Sequence, residues 1–277
     1  MRIGVFAKTF PGNTPEAVLR QSAAAGFDGV QYNMACSGLP ALPDAIAPGA
    51  AEAVALAAAG TGQTVFAVSS TYNMIHPDPA VRQAGERRLA VIAGACRAMG
   101  TSLVTLCTGT RDADDQWRHH PENGSPDAWR DLLTSFAAAV RIAEAHGILL
   151  GVEPEPGNVV CSAEAACRLI EEIGSPAIRI VLDPANLAEQ AEASERRRII
   201  ERAVDLLAGR IVMAHAKDRS ADGHVATAGK GVIDFGHFLS RLRGAGFGGP
   251  VVAHGFDAPE AVGVARFLRH HCAALWP

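Results

Sequence analysis

Residues 148–158, ILLGVEPEPGN, form an apolar run that ends at two carboxylates separated by prolines. Apolar residues at consecutive positions predict a strand that is buried on both faces, as in a parallel sheet. Glu153 stands where this strand stops, and a carboxylate there needs a cation, a metal or several hydrogen-bond donors. Three later runs end in the same way, IRIVLDPAN at Asp183, RIVMAHAKD at His215 and GPVVAHGFD at His254.

The order of a strand followed by a helix repeats eight times. The predicted strands cover residues 2–8, 29–33, 64–70, 102–109, 148–153, 178–183, 210–215 and 250–254. Parallel strands need helical crossovers, and eight such units can close on themselves. The pattern predicts an α/β fold, a (β/α)8 barrel, as one domain over residues 1–277. A doubly wound open sheet is the alternative, but FAKTFPGN after the first strand lacks the glycine-rich phosphate fingerprint.

Composition narrows the classes of function. The chain is 48% hydrophobic and 19% charged, with a formal net charge of −4, which is typical of a globular protein. Scattered basic residues predict no nucleic-acid partner and no membrane partner. The first residues read as a strand rather than a secretory signal, and no apolar run reaches membrane-spanning length. Six cysteines without a CxxC pair favour reduced thiols in a cytoplasmic protein.

The ends of the last four strands predict a metal site. In a closed barrel the carboxyl ends of all strands meet at one mouth, so Glu153, Asp183, His215 and His254 should be neighbours. Two carboxylates and two imidazoles suit one divalent ion, Mn, Co, Mg, Zn or Fe. Each residue alone has an ordinary explanation, such as a hydrogen-bonded core histidine or a turn-forming aspartate before proline. Their joint occurrence favours the metal.

These motifs resemble a known family. DPANL after the sixth strand, HAKD after the seventh, then GKGVIDF and GFGGPVV are similar to the xylose-isomerase-like TIM barrels, the sugar phosphate isomerase/epimerase superfamily. The resemblance extends over essentially the whole chain, including TYNMIHPD after the third strand and TGTRD after the fourth. It implies that Glu153, Asp183 and His215 are metal ligands. DNA repair by the endonuclease IV type of this superfamily is not expected, because the ligands for three zinc ions are missing.

The resemblance also implies a departure at the eighth strand, where the epimerases place a glutamate as fourth ligand and this chain has His254. In the two-glutamate epimerases one carboxylate removes a proton and the other returns it, while the metal stabilises an enediolate. An imidazole can bind metal or carry a proton near neutral pH. Glu155 is a candidate for the second acid/base, or it is a solvated loop acid.

The remaining candidates are substrate contacts. Asn186 falls where the epimerases often place a substrate-binding histidine. Lys217 lies on the same side as His215 and either neutralises an oxyanion or pairs with Asp218 or Glu155. Three more polar residues follow the third and fourth strands: Asn73, His76 and Arg111. They are candidates for contacts with hydroxyl or anionic groups of a substrate. Alternatively, they only form turns.

The expected function is that of a divalent-metal-dependent isomerase or epimerase of a small keto sugar or polyol. Glu153 would act as base and ligand, and His254 as ligand or proton carrier. The first alternative is a metal-dependent lyase, a keto-sugar dehydratase or 3-keto-glycoside eliminating enzyme. The second is a barrel that binds a ligand or partner without catalysis. The longest loop, which contains Trp117, His119 and His120, is expected to be a lid or a homo-oligomer contact.

Overall fold

Eight parallel strands close into a barrel in a computed structural model, which describes residues 1–189 and 191–276. The order around the barrel is β1, β10, β7, β6, β5, β4, β3 and β2. The barrel strands are β1 (Ile3–Phe6), β2 (Gly29–Tyr32), β3 (Thr64–Ser69), β4 (Leu103–Leu106), β5 (Leu149–Val152), β6 (Ile178–Leu182), β7 (Ile211–Ala216) and β10 (Val251–Ala253). The sequence prediction of a (β/α)8 barrel is confirmed.

Helices cover the outside of the barrel. They are α1 (Pro15–Ala25), α2 (Ala50–Thr61), α3 (Pro79–Cys96), α4 (Pro126–His146), α5 (Ala163–Ile173), α6 (Pro184–Leu187), α7 (Ala193–Leu207), α8 (Phe235–Gly244) and α9 (Ala261–Leu275). Start and stop signals act as expected at α1, where the Thr14 side chain accepts from Ala17 N and Gly26 ends the helix with φ 94°. Within the described residues, no helix combines the length and apolar character needed to cross a bilayer.

Two features depart from the predicted elements. The single turn α6 directly follows Asp183, whose side chain accepts from Ala185 N at 2.8 Å. The loop after β7 contains a two-stranded antiparallel ribbon of β8 (Asp218–Arg219) and β9 (Val225–Ala226), which is not among the eight predicted strands. Except at β7, the predicted strands are also longer than the observed ones, by up to four residues, because the predictions included the polar residues at the strand ends.

Inward-facing residues change from apolar to polar along the barrel axis. Phe66, Leu103, Val181, Met213 and Val252 form a separate buried cluster inside the barrel. Since side chains alternate along a strand, the residue two positions after each of the last three also faces inward. Those positions are Asp183, His215 and His254. The polar site therefore lies on a packed apolar layer.

Candidate active site and metal centre

The four strand-end residues come together as predicted. Glu153, Asp183, His215 and His254 each offer a ligand atom, and these atoms all lie within 4.8 Å of one another. The first three side chains are buried and His254 is partly exposed. His215 Nδ1 lies 3.0 Å from Glu153 Oε1, and His254 Nε2 lies 3.2 Å from Asp183 Oδ2. The two imidazole rings meet edge to face with centroids 4.5 Å apart.

The charges at the site fit a bound cation. The carboxyl groups of Glu153, Glu155 and Asp183 surround the ammonium group of Lys217, which contacts Asp183 Oδ2 at 3.2 Å. Neutral imidazoles and ionised carboxylates are the donors that divalent metals of intermediate hardness accept. A divalent ion would compensate the carboxylates that Lys217 leaves unbalanced.

The two glutamates of the EPEP motif, Glu153 and Glu155, have pKa values that are shifted in opposite directions. Burial raises the pKa of Glu155 to about 8, and the neighbouring charge of Glu153 adds to this shift. Burial also opposes ionisation of Glu153, but His215 and Lys217 outweigh it and lower the pKa of Glu153. Opposite shifts in adjacent acids are the usual sign of one proton donor and one proton acceptor.

The other members of the cluster are shifted towards the forms that bind metal. Burial disfavours ionisation of Asp183, yet Lys217 and His254 hold the pKa of this carboxyl well below its usual range. Burial and the neighbouring His215 lower the pKa of His254, which keeps this imidazole neutral at neutral pH. The pKa of Lys217 is raised, because the nearby carboxylates outweigh the effect of its burial.

Asn186 connects Glu153 and Lys217. Its Nδ2 donates to Glu153 Oε1 at 2.9 Å, and its Oδ1 accepts from Lys217 Nζ. The side chain is 2% exposed and does not line the cavity. The structure therefore gives no support for the predicted contact of Asn186 with a sugar hydroxyl, and the residue instead orients Glu153 and Lys217.

Asp218 of the HAKD motif organises the loop after β7. Its carboxylate accepts from the backbone nitrogens of Gly229, Gly231 and Ile233 at 2.9 to 3.0 Å, and it is fully buried. Lys217 pairs with Asp183 rather than with Asp218.

A cavity of about 640 Å³ opens above the cluster. Lys217, Glu155 and Cys107 belong to its polar floor, and Trp117 and Val225 to its apolar rim. Trp117 and Val225 are 49% and 51% exposed, although both are large apolar side chains. A small molecule with one polar and one apolar face suits this lining.

Three predicted substrate contacts lie outside the cavity. Asn73 Oδ1 accepts from Thr110 N at 3.0 Å, and His76 Nε2 lies 3.1 Å from Ala113 O. Arg111 donates to Ile75 O and pairs with Asp131 at 2.8 Å. Asn73, His76 and Arg111 therefore hold the loops after β3 and β4 together, and their contact with a substrate stays a prediction.

The end of the EPEPGN motif positions the Trp117 wall. Asn158 Oδ1 accepts from Gly109 N at 2.7 Å, and Asn158 Nδ2 donates to Gln116 O at 3.1 Å. A Cβ atom on Gly157 would lie 2.0 Å from the carbonyl oxygen of Trp117, so only glycine fits there. The motif thus supplies the acids and also supports one wall of the cavity.

Sequence reasoning missed two site residues. Gln31 on β2 lies 2.8 Å from His215 Nε2, and Cys107 after β4 lies with Glu153 and Glu155 in a second group of ligand atoms within 4.8 Å. Cys107 directly follows β4, which was the only available signal, whereas Gln31 lies within β2. Cysteine is a common zinc ligand, but the sequence has no CxxC pair that would have drawn attention to Cys107.

Comparison with known proteins identifies the family of this chain. Residues 19–271 match the model of the family described as xylose isomerase-like TIM barrel. The chain belongs to this family. A curated relative, 2-epi-5-epi-valiolone 7-phosphate 2-epimerase from an Actinoplanes species, is 31% identical over 175 residues, which are 61% of this chain and 57% of the relative. The match therefore spans little more than half of that enzyme.

Solved structures share the fold. The 3-keto-D-glucoside 4-epimerase of E. coli superposes with a TM-score of 0.76 at 18% identity, over 98% of this chain and 99% of that one. A xylose isomerase-like TIM barrel protein from Mycobacterium smegmatis in complex with magnesium gives a TM-score of 0.75 at 12% identity, over 100% and 98% of the two chains.

Proposed function

We propose that this protein is a divalent-metal-dependent epimerase or isomerase of a small keto sugar or polyol. The observation that carries the proposal is the convergence of Glu153, Asp183, His215 and His254 at the base of an open cavity. The family assignment and the epimerase activity of the curated relative support it.

The metal would be held by the four strand-end side chains, and the donor set admits Mn, Co, Mg, Zn or Fe. When bound, such an ion polarises a substrate carbonyl and stabilises negative charge on its oxygen. Asn186 holds the Glu153 carboxylate in place, and Lys217 contributes positive charge at the cavity floor.

Proton transfer would fall to the two glutamates. The pKa of Glu153 is lowered, which suits the acceptor of the proton beside the carbonyl, whereas the pKa of Glu155 is raised in the metal-free protein, which suits a proton donor. Glu155 would thus take the role of the second glutamate, whose position at the end of β10 is occupied by His254. His254, with Nε2 against Asp183, is assigned as a ligand.

A metal-dependent lyase is the second candidate, and His254 is the observation that favours it. An imidazole in place of the second glutamate makes a symmetric exchange of protons between two opposed carboxylates harder. The same base would remove the proton beside the polarised carbonyl, and the electron pair left on carbon would then expel a leaving group.

Solvent deuterium separates these functions. The protein is incubated in D₂O with Mn²⁺, Co²⁺, Mg²⁺ or Zn²⁺ and a panel of keto sugars, free and phosphorylated, and the products are analysed by mass spectrometry and NMR. Epimerisation or isomerisation yields an isomer that carries carbon-bound deuterium, and a lyase yields a product lighter by water or by an aglycone.

Two matched variants test whether deuterium incorporation depends on the candidate site. Glu153→Gln should abolish incorporation, whereas Glu144→Gln, a change to an exposed acid that accepts a hydrogen bond from Ser175, should leave it unchanged. Activity that persists in Glu153→Gln, or activity that EDTA does not affect, would contradict the proposal.

A further inference from the structure

Gln31 is a buried polar residue that the proposed mechanism does not use. It lies on β2, is 6% exposed and borders the cavity. The pairing of β2 with β3 shifts register between Val30 and Gln31, where Val30 pairs with Val65 and Gln31 with Ala67. Such bulges re-aim side chains and are common beside active sites.

The Gln31 amide spans the barrel interior. Its Oε1 lies 2.8 Å from His215 Nε2 on β7, and its Nε2 donates to Thr105 Oγ1 on β4 at 3.0 Å. Strands β2 and β7 are not neighbours, since β1 and β10 lie between them. The contact therefore contributes nothing to strand pairing and depends on the side chains alone.

This contact bears on where a neutral His215 ring carries its hydrogen. With Gln31 Oε1 facing the ring, the contact favours the Nε2–H tautomer, because a carbonyl oxygen can only accept. The other ring nitrogen, Nδ1, then directs a lone pair towards Glu153 Oε1 at 3.0 Å. Two acceptors at this distance need a cation or a proton between them.

We propose that Gln31 is the positioning residue that selects the Nε2–H tautomer of His215 and so presents Nδ1 to the metal. The inference rests on the proposed function, because it concerns the metal centre assigned there. Hydrogen bonds from the second ring nitrogen of a metal-bound histidine are a general means of fixing its tautomer and orientation.

The variant Gln31→Met tests this role, since it keeps the length of the side chain and removes the acceptor. We expect Mn²⁺ to bind about 10–100-fold more weakly, as measured by titration calorimetry. Gln31→Glu retains an acceptor oxygen and should keep the affinity of the unmodified protein. This rescue distinguishes positioning from simple filling of space.

Gln63→Met is the matched control. Gln63 is also a buried amide, which accepts from Ser22 Oγ and donates to Phe27 O at 2.7 Å, at the opposite end of β3 from the cavity. The same chemical change there should leave Mn²⁺ affinity unchanged. Thermal unfolding of each apoprotein shows how much of any effect comes from stability.

NMR reads the tautomer directly. In Zn²⁺-loaded protein with ¹⁵N-labelled histidine, His215 should carry its hydrogen on Nε2, with Nδ1 bound to the ion, and Gln31→Met should lose this single state. An Nδ1–H tautomer in the loaded protein, or equal Mn²⁺ affinity in Gln31→Met, would overturn the inference alone. Failure of the unmodified protein to bind Mn²⁺ would overturn the proposed function as well.

Discussion

Removing the Lys217 ammonium group should destabilise the metal-free protein strongly. Its side chain is 9% exposed, and Nζ lies 3.2 Å from Asp183 Oδ2. At that distance, an effective dielectric constant of about 20 gives an attraction of roughly 5 kcal/mol. Lys217→Met keeps the aliphatic stem but leaves buried carboxylates unpaired. Because the buried carboxylates of Glu153 and Asp183 can partly relax by taking up protons, we expect a net loss of roughly 3 kcal/mol at pH 7.

Urea unfolding in EDTA, followed by circular dichroism, measures this loss. Lys230→Met is the control, because Lys230 makes an equally direct pair with Glu260 at 2.6 Å but is 66% exposed. Pairs of that kind contribute little, since water screens them. Mn²⁺ should reduce the deficit of Lys217→Met, because the ion compensates the same carboxylates. Equal effects of the two substitutions would refute the argument that the site is a buried excess of negative charge.

Three further predictions follow from the site. The pKa of Glu155 is raised from 4.5 to about 8 in the folded protein, so the free energy of unfolding of the metal-free protein should fall as the pH rises from 4.5 to about 8, by roughly 1.4 kcal/mol per pH unit at most. Urea titrations should show that Glu155→Gln removes this loss and that Mn²⁺ reduces it. Trp117→Ala should raise KM by about tenfold with little change in kcat, because the cavity loses an apolar wall that binds substrate and transition state alike; steady-state kinetics would contradict this if kcat alone fell. His254→Glu should shift the metal preference from Zn²⁺ towards Mg²⁺ and Mn²⁺, since a carboxylate replaces an imidazole; competitive titrations that give an unchanged order would remove His254 from the ligand set.

The fold and the ligand cluster could be predicted from local sequence. A buried parallel strand is a short apolar run, and its end is visible where the first acid or imidazole appears, as at Glu153 and His215. Barrel closure then makes such ends neighbours whatever their separation along the chain. This argument depends on strand order alone and needs no side-chain geometry.

The substrate contacts could not be predicted in this way, because loops have no fixed period. Arg111 and Asn73 have the chemistry of ligand-binding residues, yet the loops that carry them use it to bind each other. Gln31 was missed for the opposite reason. Its role depends on a register shift in β2 and on a contact across the barrel, and neither leaves a mark in the local sequence.

The central claim is that one divalent ion binds between the ends of β5, β6, β7 and β10. Anomalous diffraction from crystals of the Mn²⁺-loaded protein tests it directly. We predict one strong peak, within about 2.0–2.4 Å of donor atoms of Glu153, Asp183, His215 and His254. A map without a peak at this position, or with His254 directed away from the ion, would contradict the account.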